Sequence, residues 1–359
     1  STPLYSSAAS DVYKRQTIAT QASLSQVRFE PLGVVLAVMP WNYPVWQILR
    51  FAIPALCAGN ACAVKPAPSV ARVSETLFSL IPKGLPLIGA WLNHEDTLKA
   101  IKDTDAMAFT GSTHTGRLLA AHAGRHLKKN VLELGGSNPF IILPDADLQR
   151  AAIDACYSRF RDAGQSCNAA KRIVVTQDIA EQFIPLFLAE CAKLQTGNPK
   201  DPNTTLAPLH RQDLRQTVHE QVEDAVTHGA QCLSGGYIPE GESWFYPATV
   251  LDQVNPNCRV WHEEVFGPVA MILRADNPDH AVALANDTPF GLGACIYTAD
   301  TANAWQYAEK IQAGSVFINR HTSSDLRLPF GGVKASGYGR ELSEFGLYEF
   351  VNVKTYWQK

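Results

Sequence analysis

One pattern constrains this chain more than any other: short apolar runs of strand length alternate with helix-length stretches along most of it. ACAVKP (61–66) is a brief apolar run that ends at a lysine, as a buried parallel strand does. AMAFTGS (106–112) and NVLELGG (130–136) have the same form, while 73–81 and 114–127 carry helical spacing. Beyond Gly136 come PFIIL (139–143), a helix over 147–160, RIVV (172–175), and helices over 179–194 and 213–228. YPATVL, GPVAMIL, GACIYT and GSVFIN read as further strands, and EFVNVKTY (349–356) as a late one. This alternation specifies an α/β fold built on parallel sheets.

Length and charge narrow the function classes. The 359 residues suggest two to three domains at roughly 150 residues each. Hydrophobic residues make up 46% and charged residues 18%, enough for a sizeable core and against a disordered chain. Lys plus Arg is 31 and Asp plus Glu 34, a net charge of −3, so the chain has no broad attraction for nucleic acid or anionic lipid. No apolar run approaches the roughly 18 residues of a membrane span; the longest, 33–39, stops at Pro40. Eight cysteines without a CxxC pair do not make a secreted disulfide framework. Residues 1–16 lack the apolar core of a signal peptide and read as a solvated leader. The expectation is a cytoplasmic protein with reduced thiols.

Four local constellations carry chemistry. In DAGQSCNAAKR (162–172), Cys167 follows Gly164 and Gln165 in a polar loop, where a reachable thiolate finds backbone N–H donors. In LELGG (132–136), Glu133 sits at a strand end before two glycines, placed to act as a general base on water. Asn42 of PWNYP (40–44) offers an amide donor for a developing oxyanion. FTGSTHTG (109–116) puts Gly111, Ser112 and Gly116 between a strand and a helix, a junction whose N–H groups suit a pyrophosphate. Lys65 ends the preceding strand and adds a cation for a ribose or phosphate. Each has a plainer reading alone: a packed thiol, a solvated glutamate, a turn asparagine, a loop glycine. His122 and His126 have i, i+4 spacing but no HExxH context, so no metal is expected.

Their order resolves the ambiguity. PWN, K-P-A, FTGSTHTG, LELGG, GQSC, EEVFGPV (263–269) and PFGGVKASGYGRE (329–341) closely resemble the NAD(P)-dependent aldehyde dehydrogenase superfamily, from about residue 27 to the C-terminus. The resemblance implies that Cys167 attacks the aldehyde carbon to give a thiohemiacetal, with Asn42 and the Cys167 N–H as oxyanion hole. It further implies hydride transfer to the nicotinamide, then thioester hydrolysis by water that Glu133 activates. Lys65 matches the adenosine-ribose contact, Gly111, Ser112 and Gly116 the pyrophosphate turn, and Glu264 and Phe266 the residues at the nicotinamide ribose and ring. Arg50 and Arg161 resemble the arginines that clamp the distal carboxylate in succinate-semialdehyde dehydrogenases, with Ser324 of HTSSD as a third contact. Two guanidinium forks beside a thiolate would hold a carboxylate bidentately.

The implied architecture has three parts. A Rossmann-like cofactor domain spans 37–135 and an α/β catalytic domain 136–335, while 27–36 and 348–359 form an antiparallel arm joining a homodimer or homotetramer. The cofactor domain looks incomplete at its N-terminus, since family members carry a longer segment ahead of PWN. The stretch between Lys65 and Phe109 looks short, which implies a trimmed connection and no lost strand. Lys65-Pro66-Ala67-Pro68 has proline where NAD-specific members carry a ribose-binding glutamate, so a 2′-phosphate is not repelled, Ser69 offers it a hydroxyl, and NAD or NADP is expected. The partner is a small-molecule aldehyde, with no nucleic acid and no membrane. The alternatives are a broad-specificity enzyme for uncharged aldehydes, an inactive cofactor-binding fragment, and a cysteine hydrolase.

Overall fold

The computed structural model describes residues 15–241 and 243–359. The chain divides into two compact units. The first runs to Glu133 and adds Asp325–Phe330 and Tyr338–Lys359; the second comprises Leu134–Ser324 and Gly331–Gly337.

In the first unit, Val34–Val38, Ala61–Lys65, Leu87–Gly89, Ala106–Thr110 and Lys129–Glu133 run parallel in one sheet. Ala61–Lys65 and Leu87–Gly89 lie in chain order on one side of Val34–Val38, and Ala106–Thr110 and Lys129–Glu133 on the other. The order therefore reverses between Val34–Val38 and Ala106–Thr110, and the crevice beyond the carboxyl ends at such a reversal is where α/β sheets bind ligands. Asn42 and Gly111 follow those two strands. The strand Leu87–Gly89 follows in the same sheet, paired with Ala61–Lys65.

Helix Pro44–Cys57 covers one face, opened by proline at its first turn, where the missing N–H costs nothing. Its Phe51 packs edge-on to Phe350 at 5.3 Å in a core with Val35, Ala37, Val64 and Val131. Buried Asn60 accepts from Leu32 and Gly33 N–H and donates to the Ala55 and Phe350 carbonyls. Gly33, at φ 126°, then turns the chain into the parallel sheet.

Just ahead of that turn, Leu24–Pro31 pairs antiparallel with Val351–Gln358, from Pro31↔Val351 to Leu24↔Gln358. Arg15–Thr17 pairs on its other edge. The segment 27–36 is thus shared between this ribbon and the parallel sheet. Of the expected leader, residues 1–14 lie outside the described residues, while Arg15 and Gln16 are in a strand.

The second unit is built on a seven-stranded sheet. Its order is Gln231–Ser234, Thr249–Asp252, Val269–Ala275, Ala170–Thr176, Asn138–Ile142, Ala294–Tyr297, Val316–Ile318, parallel except at the first pair. Helices Leu148–Phe160 and Gln177–Cys191 supply Phe160, Phe183 and Phe187 to its core. Asp147 caps the first of these by accepting from the Arg150 N–H. The strand Ala170–Thr176 is buried at every position, yet it contains Lys171 and Arg172. Arg172 is satisfied by the carbonyls of Ser137, Leu284 and Ala285, each at 2.8 Å.

Candidate active site

Glu133 ends its strand in the first unit, in register with Thr110. Its side chain is only 3% exposed, and neither carboxylate oxygen has a hydrogen-bond partner. Burial, followed by the Glu341 carboxylate, holds this carboxyl well above its ordinary range, against smaller opposing pulls from Arg50 and Arg340. A buried, unpartnered carboxyl with a raised pKa is suited to taking a proton near neutral pH. Arg50, on helix Pro44–Cys57, forms a buried ion pair with Glu341 and lies over the Phe330 ring at 4.8 Å. Its Nη2 has no hydrogen-bond partner.

The cofactor candidates sit on the same unit. Ser112 caps helix Thr113–Arg125 by accepting from the Thr115 N–H at 3.3 Å, and no acidic residue occupies the first turn. Gly111 precedes it, where a Cβ would come within 2.5 Å of the Phe109 ring. Gly116 is buried one turn into the helix. Lys65 ends the neighbouring strand but one, half-buried, and burial lowers its pKa. This donor set, one ammonium, one hydroxyl and helix N–H groups with no carboxylate at 66–70, fits an anionic dinucleotide. Asn42 lies half-buried in the turn between Val34–Val38 and Pro44–Cys57.

Cys167 lies in the second unit, partly exposed, after a strained approach. Asp162 and Ala163 take left-handed φ of 55° and 53°, and Gly164 follows at 71°. Only glycine fits at 164, because a Cβ would run into the Gly267 carbonyl. Non-glycine residues in this region cost about 1–2 kcal/mol each, so the surroundings must impose the turn. Gly136, the second glycine of LELGG, lets its backbone approach the nucleophile loop: a Cβ there would lie 2.7 Å from the Cys167 carbonyl oxygen.

Around the same loop, Glu264 Oε1 accepts from the Gly136 N–H at 3.1 Å and from Lys171 Nζ at 2.9 Å. Phe266 lies 5.9 Å from that ammonium. Arg161 and Ser166 line a shallow recess with Tyr157, Asn168, His321 and Thr322. Arg161 pairs with Asp162 at 3.0 Å and donates to the Tyr157 hydroxyl. The Thr322 hydroxyl donates to the Asn168 carbonyl at 2.6 Å, tying the segment that carries Ser324 to the cysteine loop.

The structure thus gathers Glu133 and Arg50 in one unit and Cys167, Glu264, Phe266 and Arg161 in the other. Sequence reasoning missed Glu341, Lys171 and Arg159. A lysine at the head of an apolar strand run and an arginine near the end of an apolar helix were the available signal, since such charges persist in a core only when partnered.

Comparison with known proteins gives the family. Residues 2–356 match the model of the aldehyde dehydrogenase family. An aldehyde dehydrogenase of Paenarthrobacter nicotinovorans is 46% identical over 342 residues, 94% of this chain and 75% of that protein. A succinate semialdehyde dehydrogenase [NAD(P)+] of Escherichia coli K12 is 45% identical, covering 92% of this chain and 73% of that one. The crystal structure of succinic semialdehyde dehydrogenase from Streptococcus pyogenes with NADP+ superposes with a TM-score of 0.92 at 34% identity, covering 97% and 78% of the two chains. The chain belongs to the aldehyde dehydrogenase family. It is an NAD(P)-dependent oxidoreductase acting on aldehydes.

Proposed function

We propose that this enzyme oxidises succinate semialdehyde, or a close ω-carboxy aldehyde, to the acid. The supporting observation is the recess lined by Ser166 and Asn168, the residues either side of Cys167, together with Thr322 and the Arg161 guanidinium, which is paired with Asp162. A guanidinium fork there recognises a distal carboxylate bidentately. Arg50 is the second cation of this reading, because its unpartnered Nη2 is a buried donor that lacks an acceptor. Ser324 adds a hydroxyl.

In this reading the Cys167 thiolate adds to the aldehyde carbon, and Asn42 with the Cys167 N–H stabilises the oxyanion of the thiohemiacetal. The nicotinamide dinucleotide, when bound, supplies the hydride acceptor. Lys65, Gly111, Ser112 and Gly116 hold its ribose and phosphates, and Glu264 and Phe266 hold its nicotinamide end. Once the thioester exists, Glu133 takes a proton from water, which attacks the acyl carbon and releases the acid and the thiolate. Acyl-CoA-forming members of the family lack this base, so Glu133 directs the acyl group to water.

Lys65-Pro66-Ala67-Pro68 carries no carboxylate to repel a 2′-phosphate, which supports use of NADP as well as NAD. All eight cysteines are free thiols, which suits a cytoplasmic enzyme. Among the described residues, no helix is long and apolar enough to cross a membrane. The open edge of Val351–Gln358 supports assembly into a dimer or tetramer.

Absorbance of reduced nicotinamide with succinate semialdehyde and butyraldehyde, each with NAD and NADP, tests the reading against a Cys167→Ala control. The expected result is a strong preference for the carboxylated aldehyde that vanishes in the control. Equal turnover of both aldehydes would replace it with a broad-specificity dehydrogenase.

A further inference from the structure

We infer that Lys171 is a positioning residue of the nucleophile, whose buried ammonium clamps the Cys167 loop to Glu264 and supplies that loop with a fixed positive charge. The inference rests on the reading of Cys167 as nucleophile.

Lys171 is the second residue of a strand with no exposed position, and its side chain is 0% exposed. An ammonium buried so deeply is tolerated only when its donors are satisfied and its charge is answered. Its Nζ donates to the Ser166 carbonyl, the Cys167 carbonyl and Glu264 Oε1, each at 2.9 Å. Those bonds use the full donor capacity of an ammonium. Glu264 Oε1 also accepts from Gly136, whose backbone abuts the Cys167 carbonyl. The result is a closed ring running from Cys167 through Lys171, Glu264 and Gly136 back to Cys167.

The charge has a further effect. The charged groups that act on the ammonium are Glu264, Arg159 of helix Leu148–Phe160 and an ionised Cys167. The Arg159 guanidinium is itself fixed on the carbonyls of Val265, Gly267 and Val269. Burial most strongly lowers the Lys171 pKa; Glu264 opposes this, Arg159 adds to it, and an ionised Cys167 opposes it. Coupling between two titrating groups is reciprocal. A thiolate that favours the charged lysine is favoured by that lysine to the same extent. Hydrogen bonds alone would hold the carbonyls; only a net charge moves the thiol.

The test is the rate at which iodoacetamide alkylates Cys167 as a function of pH, with the labelled cysteine identified by peptide mass. Lys171→Met is expected to slow labelling at pH 7 by about tenfold, which corresponds to about one pKa unit. Lys171→Gln, which keeps donors but not charge, should shift the profile the same way, and Lys171→Arg should stay near the parent enzyme. Glu264→Gln, which removes the carboxylate that keeps the buried ammonium charged, should slow labelling in the same direction, and it decides the matter if the neutral Lys171 variants do not fold. Profiles that superimpose on the parent in the folded variants would overturn the inference. Turnover that survives in Cys167→Ala would overturn the nucleophile assignment itself, and this inference with it.

Discussion

Gly136 and Cys167 meet backbone to backbone: a single methyl group on Gly136 would stand 2.7 Å from the Cys167 carbonyl oxygen. That carbonyl also accepts from Lys171, so it cannot retreat without breaking a buried bond. Gly136→Ala is therefore expected to displace the nucleophile loop. A shift of an ångström costs about 100-fold in turnover at sites of this kind. Steady-state kinetics alongside thermal unfolding check this. A variant with parental kcat would show that the loop has slack the packing does not suggest.

Glu133 gives a pH signature. Its carboxyl is held well above the ordinary range by burial and then by Glu341, and only the ionised form accepts a proton from water. The acid limb of turnover should therefore lie at higher pH than an ordinary carboxylate would place it. Glu341→Gln removes one of the influences that raise the pKa and leaves Arg50, which lowers it, so the limb should move to lower pH. Glu133→Gln should cost about 10²–10⁴ in steady-state turnover while leaving a first-turnover burst of reduced nicotinamide. The stability linkage has the opposite sense from that of a salt-bridged acid. With the folded pKa raised, the contribution is full below the unfolded value and is lost as pH rises through the folded one. Glu133→Gln should accordingly gain stability relative to the parent on the alkaline side. An acid limb unmoved by Glu341→Gln would remove Glu341 from this account.

Arg161 is the substrate test. It stands in the recess beside Ser166 and is 42% exposed on its side chain, so an incoming carboxylate can reach it. Arg161→Ala is expected to raise KM for succinate semialdehyde roughly 10- to 100-fold, the worth of a charged bidentate contact. KM for butyraldehyde should change little. Equal effects on both aldehydes would show that the arginine shapes the recess without reading the carboxylate.

Much of this site was legible because its signals are local. Cys167 and Glu133 each sit in a few residues, GQSC and LELGG, whose glycines imply close backbone approach, and Gly164 and Gly136 proved sterically required. The contact between Lys171 and Glu264 spans 93 residues, and no local pattern encodes it. Arg50 matches a clamp arginine in its local motif, whereas its Glu341 partner lies far along the chain and only the fold brings the two together. Helix Pro44–Cys57 is not among the expected elements: PWNYP reads locally as a turn, and Pro54 stands inside the helix.

The ribbon at the chain ends bears on assembly. Val353 and Trp357 are 63% and 57% exposed on Val351–Gln358, the outer strand of its sheet. They fall four residues apart, on one face of the strand. Covering an apolar side chain of this size is worth about 1.5–3 kcal/mol. Replacing both by lysine should lower the mass seen by light scattering while leaving the far-ultraviolet spectrum unchanged. An unaltered mass would place the interface elsewhere.

The left-handed run at Asp162, Ala163 and Gly164 has an engineering consequence. Glycine at 162 or 163 would relieve strain of about 1–2 kcal/mol at an entropic cost of about 0.5–1 kcal/mol, a small net gain in stability. The same change would slacken the approach to Cys167. Laboratory selection for heat resistance alone would drift toward glycine at both positions and arrive at a sturdier, slower enzyme.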